Sequence, residues 1–322
     1  GTIHDTATTA TLAAVLTMRE AALGFEGLAK GLSGAPRLTL YCSSETHSSV
    51  DKAARLAGIG QENLVKVETD AAHAMRADAL AAAIERDREA GARPIGVILC
   101  AGGTSIGAFD RIGESVRVAK AAGLPVHVDA AWAGSAMICP EFRELWAGIE
   151  TADSIVFNPH KWLGAQFDCS VQFLADPTSQ IRTLGLRPDY LETAGADEPV
   201  NFNEWTIPLG RRFRALKLWF LIRIHGLEDL RRRIRNHVAW AWELRTALAE
   251  HPAIEIVTEP SLSLFSFALG DDAATQALLN RINDDGRIYL TQTRHRGRYV
   301  IRVQVGQFDC TRDDVMMVDT VV

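Results

Sequence analysis

This sequence predicts an α/β sandwich: a mostly parallel sheet with helices on both faces, followed by a smaller α+β domain. Three observations lead there. Ahead of residue 208, short apolar β-branched runs alternate with Ala- and Arg-rich stretches of helical periodicity, the rhythm of βαβ units. Beyond it the rhythm changes to long helices followed by short strands. The 322 residues, 47% hydrophobic and 23% charged, suffice to bury an extended core and have the balance of a folded chain rather than a disordered one.

In order, a helical pattern over 8–32 opens the chain behind the hydroxyl-rich stretch Asp5-Thr6-Ala7-Thr8-Thr9. Apolar runs then predict strands at 37–43, 64–68, 95–101, 125–129, 154–158 and 170–174. Helices are predicted between them at 46–56, 76–90, 112–122 and 141–147, the rhythm of a mostly parallel sheet covered on both faces. The stretch 185–203, with two prolines, several acids and little periodicity, reads as a long loop, and loops of that length are usually functional or mobile. Helices at 208–225, 227–250 and 273–285 and strands at 254–257, 262–269, 288–291 and 299–304 complete the chain. The division places a large domain at 1–216 and a small one at 217–322.

Charge and cysteine usage remove several function classes. Thirty-four basic against 40 acidic residues leave a net charge of −6, which offers no electrostatic footprint for nucleic acid or an anionic membrane. No apolar run approaches the roughly 18 residues of a bilayer span, and the N-terminus lacks a signal-peptide layout, so a cytoplasmic protein is expected. The five cysteines are odd in number, scattered and never spaced C-x-x-C, so neither a disulfide framework nor a zinc site is expected. The chain starts at Gly1 without a Met and enters a helical pattern almost at once, so a segment upstream is expected.

In open α/β sheets ligands bind beyond the C-terminal ends of the strands. Four predicted strand ends carry polar groups: Ser43 to His47; Gly102, Gly103 and Thr104; Asp129; and Asn158-Pro159-His160-Lys161. Asp129, followed by the small residues Ala130 and Ala131, reads either as a cap of the next turn or as a ligand carboxylate. Lys161, between a proline-containing turn and Trp162, stands where partial burial would depress its pKa and make it a better nucleophile toward a carbonyl. A lysine and an aspartate on one rim match what pyridoxal phosphate requires, an amine for the Schiff base and a carboxylate for the pyridine nitrogen. Thr6, Ala7 and Thr8, at the start of the first helix, offer free N–H groups to a phosphate, or simply cap that helix. His47 could stack on a planar ring or lie on the surface, and Thr104 could bond a ring oxygen or serve its own turn.

These residues sit in long ordered motifs: Thr46-His47-Ser48-Ser49-Val50, His127-Val128-Asp129-Ala130-Ala131-Trp132-Ala133-Gly134-Ser135-Ala136, Cys139-Pro140-Glu141-Phe142-Arg143, Asn158-Pro159-His160-Lys161-Trp162 and Ile207-Pro208-Leu209-Gly210-Arg211-Arg212-Phe213-Arg214. With them the chain, from Asp5 to about Arg302, closely resembles the group II pyridoxal-phosphate decarboxylases, and among these the aromatic L-amino-acid decarboxylases acting on tryptophan, dihydroxyphenylalanine, tyrosine or phenylalanine. The resemblance implies a fold-type-I enzyme with a seven-stranded-type sheet, working as a cytoplasmic homodimer with its active site between subunits. It implies that Lys161 carries the cofactor, Asp129 pairs with its ring nitrogen, His47 stacks on the ring, Thr104 contacts its phenolic oxygen and Ala131 packs beneath. Thr6, Ala7, Thr8, Asn158 and His160 would hold the phosphate.

Tyr190 falls where the family places a mobile catalytic loop whose tyrosine protonates the carbanion left by CO₂. A phenol on a closing lid agrees with that role, and packing of the loop is the other reading. Related aldehyde synthases carry Phe there, so Tyr190 argues for plain decarboxylation. Trp162 and Phe167 are expected to line an aromatic side-chain pocket, or else to pack in the core. Gly210 lies where plant relatives use Gly for indolic substrates. Two departures stand out. Gly103 replaces the family's usual Thr, and the family's additional N-terminal helical segment, which wraps the partner subunit, is absent from this chain.

Other outcomes remain open at this stage: a decarboxylation-dependent aldehyde synthase, a glutamate-type decarboxylase, or a truncated non-catalytic relative. The retention of Lys161, Asp129, His47 and Tyr190 together stands against the last.

Overall fold

The computed structural model describes residues 1–186 and 200–322. Strands β1 (Thr2–His4), β2 (Leu38–Ser43), β3 (Leu64–Val67), β4 (Arg93–Cys100), β5 (Val126–Asp129), β6 (Ser154–Phe157) and β7 (Ser170–Leu174) form one sheet in the order β1-β7-β6-β5-β4-β2-β3. The run from β3 to β6 is parallel, and the β7 and β1 edge is antiparallel. Strands β2 and β5 are buried along their whole length, as parallel strands covered on both faces must be.

The helices of this part are α1 (Ala7–Ala22), α2 (Gly27–Lys30), α3 (Ser49–Leu56), α4 (Ala77–Glu89), α5 (Ile112–Ala121) and α6 (Thr178–Leu184). Thr6 caps α1 by accepting the Thr9 N–H. Helix α1 crosses β4 closely: a Cβ on Gly96 would lie 2.4 Å from the Met18 sulfur, so any larger residue would force Met18 to move. Two apolar layers result. One joins α1 and α3 to β2 and β4 through Val15, Met18, Leu40, Val50 and Ile98; the other joins α4 and α5 to the opposite face through Leu80, Ile84, Val97, Val116 and Val128.

Helix α7 (Arg214–Ala249) leads into a second, antiparallel sheet of β8 (Ile254–Ser261), β9 (Leu264–Leu269), β10 (Thr291–His295) and β11 (Arg298–Gln304), ordered β10-β11-β9-β8 and packed on α8 (Asp272–Asp285) and α9 (Arg312–Val321). Its core holds Ala241, Leu244, Phe265, Phe267, Leu279 and Ile301.

All six strands expected in the first sheet form, and the α/β class with a smaller second sheet holds. Several elements differ in detail. β1 was not expected: its three residues complete the sheet edge by pairing with β7, and His4 bonds Gln172 across that pair. The opening helix stops at Ala22, because Gly24 and Phe25 take positive φ. The helix expected over 141–147 is a 3-10 turn, Pro140–Trp146. The two helices expected around Gly226 form one run that starts at Arg214 and kinks at Gly226, whose φ is 71°. The strand expected at 288–291 lies at Thr291–His295, and α9 was not foreseen.

Candidate active site

The C-terminal ends of β2, β4, β5 and β6 bring the sequence-predicted groups onto one rim. Asp129 ends β5, nearly buried, and its Oδ1 accepts the Ala131 N–H at 3.0 Å. Its Oδ2 accepts no hydrogen bond among the described residues. Burial raises the Asp129 pKa, while the positive charges of Lys161 and His47 oppose that rise.

Lys161 follows β6 in a single π-helical turn, Pro159–Leu163, held by Lys161 N–H to the Asn158 carbonyl at 2.9 Å and Ala165 N–H to the Pro159 carbonyl at 2.9 Å. Its side chain reaches solvent at the rim, yet neighbouring protein desolvates it and so lowers its pKa; Asp129 pulls the other way and Arg302 adds to the lowering. The ammonium, the carboxylate and the Arg302 guanidinium therefore feel one another across the cleft.

His47 precedes α3, exposed, with its ring fixed by Nδ1, which accepts the Ser49 N–H at 3.1 Å and meets Ser49 Oγ at 2.9 Å. Ala131, partly open, packs against Ala7, Ala10 and Val156, which seats the start of α1 beside the β5 end. The N–H groups of Ala7 and Thr8 have no internal acceptor among the described residues, as expected at a helix start, and the dipole there favours an anion. Asn158 N–H donates to the Ala131 carbonyl at 2.8 Å, and its Oδ1 accepts from Ser170 Oγ, which leaves the amide NH₂ free to donate. His160 Nδ1 accepts the Cys169 N–H at 2.8 Å, so a neutral ring carries its proton on Nε2; burial lowers its pKa and keeps it neutral.

Thr104 is exposed at the rim, and its carbonyl accepts Arg302 Nε at 2.7 Å. Gly103 beside it has little room: a Cβ would lie 3.0 Å from the Glu45 carbonyl oxygen and 3.3 Å from Cys100 Sγ.

Three expected residues stand elsewhere. Trp162 does not face the cleft; it is buried, packed on Trp132 at 5.2 Å between ring centroids, with its indole N–H on His237. Phe167 is largely exposed with its ring edge on His160, 4.7 Å away. Gly210 borders a cavity of about 310 Å³ with Ile3, His4, Asp5, Arg211 and Arg212, on the β1 side of α1's start. Tyr190 lies outside the described residues.

Arg302 escaped the sequence reading. It enters from β11 of the second sheet, partly buried, held by Thr104 and, at 3.2 Å, by the Gln304 Oε1. Its signal was legible in hindsight: an arginine inside the apolar run Tyr299-Val300-Ile301-Arg302-Val303. Its Nη1 has no acceptor among the described residues, which leaves it available to an anion, and its charge is felt by Lys161.

Comparison with known proteins bears on this geometry. Residues 1–270 match the family profile described as the pyridoxal-dependent decarboxylase conserved domain. The chain is 41% identical over 270 residues to the aromatic-L-amino-acid decarboxylase of Drosophila lebanonensis, covering 84% of this chain and 66% of that protein. It is 40% identical over 312 residues to the enzyme of the same name from Sus scrofa, covering 95% and 64%. The chain thus spans just under two thirds of the length of these relatives. The crystal structure of Oryza sativa TDC with PLP and tryptamine superposes with a TM-score of 0.94 at 33% identity, over 99% of this chain and 69% of that one.

Proposed function

This chain belongs to the pyridoxal-dependent decarboxylase family, and on that premise we propose that it removes the α-carboxylate of an aromatic L-amino acid as CO₂ and releases the amine. The observation that carries the reading is the meeting of Lys161, Asp129 and Arg302 in one cleft, beside a helix start with free N–H groups.

The residues fit pyridoxal phosphate. Asp129 presents a carboxylate oxygen without a protein partner, Lys161 an amine, Ala131 a small surface, and Ala7, Thr8, Asn158 and His160 a set of donors for a phosphate. When bound, the cofactor supplies a protonated ring that accepts the electron pair left by departing CO₂. Asp129 holds the proton on that ring nitrogen. Lys161, with its pKa lowered, keeps more of its amine free to attack a carbonyl than an ordinary lysine does. Arg302 would orient the substrate carboxylate, and His47, its ring fixed by Ser49, would pack on the cofactor when it is bound. Tyr190 delivers the proton to the substrate's Cα; its support is its place in the family's loop motif.

Supporting the aromatic substrate are the names of the relatives, and the tryptophan decarboxylase of Catharanthus roseus solved with L-tryptophan, at TM-score 0.91 and 33% identity. A second reading, oxidative conversion to the aldehyde, is favoured by 36% identity over 318 residues to the phenylacetaldehyde synthase of Arabidopsis thaliana; Tyr190 speaks against it. A homodimer with the site between subunits is part of the proposal, supported by exposed Phe213, Trp219, Phe220 and Ile224 on and beside the first half of α7. Cytoplasmic placement is proposed with it, consistent with five free thiols.

The test is incubation of purified protein and pyridoxal phosphate with L-tryptophan, L-dihydroxyphenylalanine, L-tyrosine, L-phenylalanine and L-glutamate, with assay of CO₂, amine, aldehyde, ammonia and peroxide. Amine and CO₂ in equal amounts from an aromatic substrate is the expected result. Aldehyde with ammonia and peroxide selects the second reading, and glutamate turnover alone, or no product from any substrate, overturns the proposal.

A further inference from the structure

Trp162 directly follows the lysine of the cleft, and its surroundings are unlike those of the other buried tryptophans. Trp132, Trp146 and Trp162 are all buried. The indole N–H groups of Trp132 and Trp146 find no partner among the described residues. That of Trp162 donates to Nδ1 of His237 at 2.9 Å, and the two rings lie nearly parallel, 13° apart, with centroids 6.4 Å apart.

An indole nitrogen can only donate, so His237 Nδ1 carries a lone pair and a neutral ring bears its proton on Nε2. That Nε2 faces the Cys310 sulfur at 3.5 Å. His237 thereby joins three parts of the fold: the Lys161 turn, helix α7 on which it sits, and the segment before α9 in the second domain.

Beyond its own backbone bonds, the Pro159–Leu163 turn is tied at its start to Cys169, just before β7, where His160 Nδ1 accepts the Cys169 N–H at 2.8 Å. Lys161 projects toward solvent and Trp162 into the core. The indole therefore anchors the turn on the core side of the lysine, as His160 ties it on the strand side. One side of the indole packs on Trp132, three residues after Asp129, and Gly306 approaches from the second domain, where a Cβ would lie 3.5 Å from Trp162 Cδ1. These contacts are apolar and carry no direction; among the described residues the hydrogen bond that orients the indole is the one to His237.

We propose that His237 is a positioning residue: by accepting the Trp162 indole N–H it fixes the tilt of the Lys161 turn, and so holds the lysine at its place opposite Asp129. The role rests on the proposed function only in that Lys161 is the cofactor lysine; the geometry itself stands without it.

The test compares wild type with H237L, H237Q, W162F and the W162F/H237L double variant. Gln restores an acceptor and a donor, whereas Leu removes both; Phe keeps the ring packing without the N–H. In protein freed of cofactor, the pH dependence of Lys161 labelling by an amine-reactive reagent is read by mass spectrometry. H237L and W162F should shift the labelling midpoint upward by about half a pH unit, a roughly threefold slower reaction near pH 8, as the lysine escapes its enclosure. The double variant should shift no further than either single one, and H237Q should stay near wild type. In the loaded enzyme the same two variants should lose kcat with little change in KM.

Midpoints equal in all variants, additive shifts in the double, or H237Q behaving as H237L would overturn the proposal. If H237L does not fold, W162F and H237Q decide it alone. Shifts as expected in a protein that turns over no amino acid would leave the positioning role standing and sink the functional reading.

Discussion

Acid should unfold this protein through its buried histidines well before its paired carboxylates yield. His4, His127 and His237 are all buried and held neutral, with pKa values lowered from 6.5 to about 4, about 3 and about 4, burial being the largest cause in each. A histidine depressed in the folded state charges first in the unfolded chain. Its contribution is therefore complete above pH 6.5 and is lost as pH falls toward the folded value. Each such group forfeits about 1.4 kcal/mol per pH unit across that window. At about pH 4.5 the three together have lost about 8 kcal/mol, which rivals the whole stability of an ordinary domain. His160 and His295 are shifted in the same direction and add to the loss.

Two buried carboxylates work against this: Asp129, whose pKa burial also raises, and Asp110. Asp110 is buried and accepts the Met75 and Cys100 N–H groups, both at 2.7 Å, yet burial raises its pKa from 3.8 to about 6. It destabilises the fold when ionised and gives that cost back as pH falls below 6, about 2 kcal/mol by about pH 4.5. With Asp110 alone counted against the histidines, the loss from neutrality is about 6 kcal/mol, and Asp129 lowers it further. Asp168, held down at about 2 by Arg214, contributes nothing in this window, because it begins to yield only below its unfolded value of 3.8. Urea titrations at half-unit steps between pH 7 and 4.5 measure the loss. H127N, which retains amide groups near Thr11 and Ser154, should remove about 1.4 kcal/mol per pH unit from the slope. A flat stability profile over that range, or an H127N slope equal to wild type, would refute the reasoning.

Three substitutions test the cleft and its frame. D129N should cut decarboxylation by about 100-fold or more while leaving thermal stability equal or higher, because the folded state strains that buried charge; a lower melting temperature would contradict the assignment. R302Q should raise KM for the amino acid by roughly tenfold to hundredfold with a smaller effect on kcat, as steady-state kinetics will read, and an unchanged KM removes Arg302 from the carboxylate site. G164A should destabilise by about 2–4 kcal/mol in urea, since φ is +88° and its Cβ would lie 1.9 Å from the Phe308 ring. The control G210A meets nothing within 4 Å and should be neutral; equal losses in both would show that the contact with Phe308 is not the cause.

The parallel part of the sheet was legible because each of its strands is a short apolar run bounded by helical periodicity, a signal that local sequence carries whole. β1 was not, since three residues hold no period and gain their conformation from pairing with β7. The same distinction explains the opening helix. Its pattern continues past Ala22, but Gly24 and Phe25 turn left-handed there, and the Phe25 ring then takes the Arg182 guanidinium 3.8 Å from its centroid, beside α6. No window of the sequence contains that contact.

The site divides along the same line. Asp129, Lys161, Asn158 and His160 stand at strand ends, where topology alone brings them to one rim, so residue type and position sufficed. What the rim needs from elsewhere was hidden: Arg302 comes from the second sheet and His237 from α7, both far from Lys161 in sequence and without a motif around them. Trp162 shows the cost of reading a motif residue by adjacency. Next to the cleft lysine it looked like a pocket wall, but successive side chains of a helical turn point about a quarter-turn apart, and the large indole takes the direction that leads into the core. The second sheet and the segment that follows it therefore reach the candidate site. They bring the Arg302 charge within reach of the lysine, Gly306 against the indole of the lysine's turn, and Cys310 against the histidine that orients the indole. Any motion of these elements relative to the first sheet would reach Lys161 through all three contacts at once.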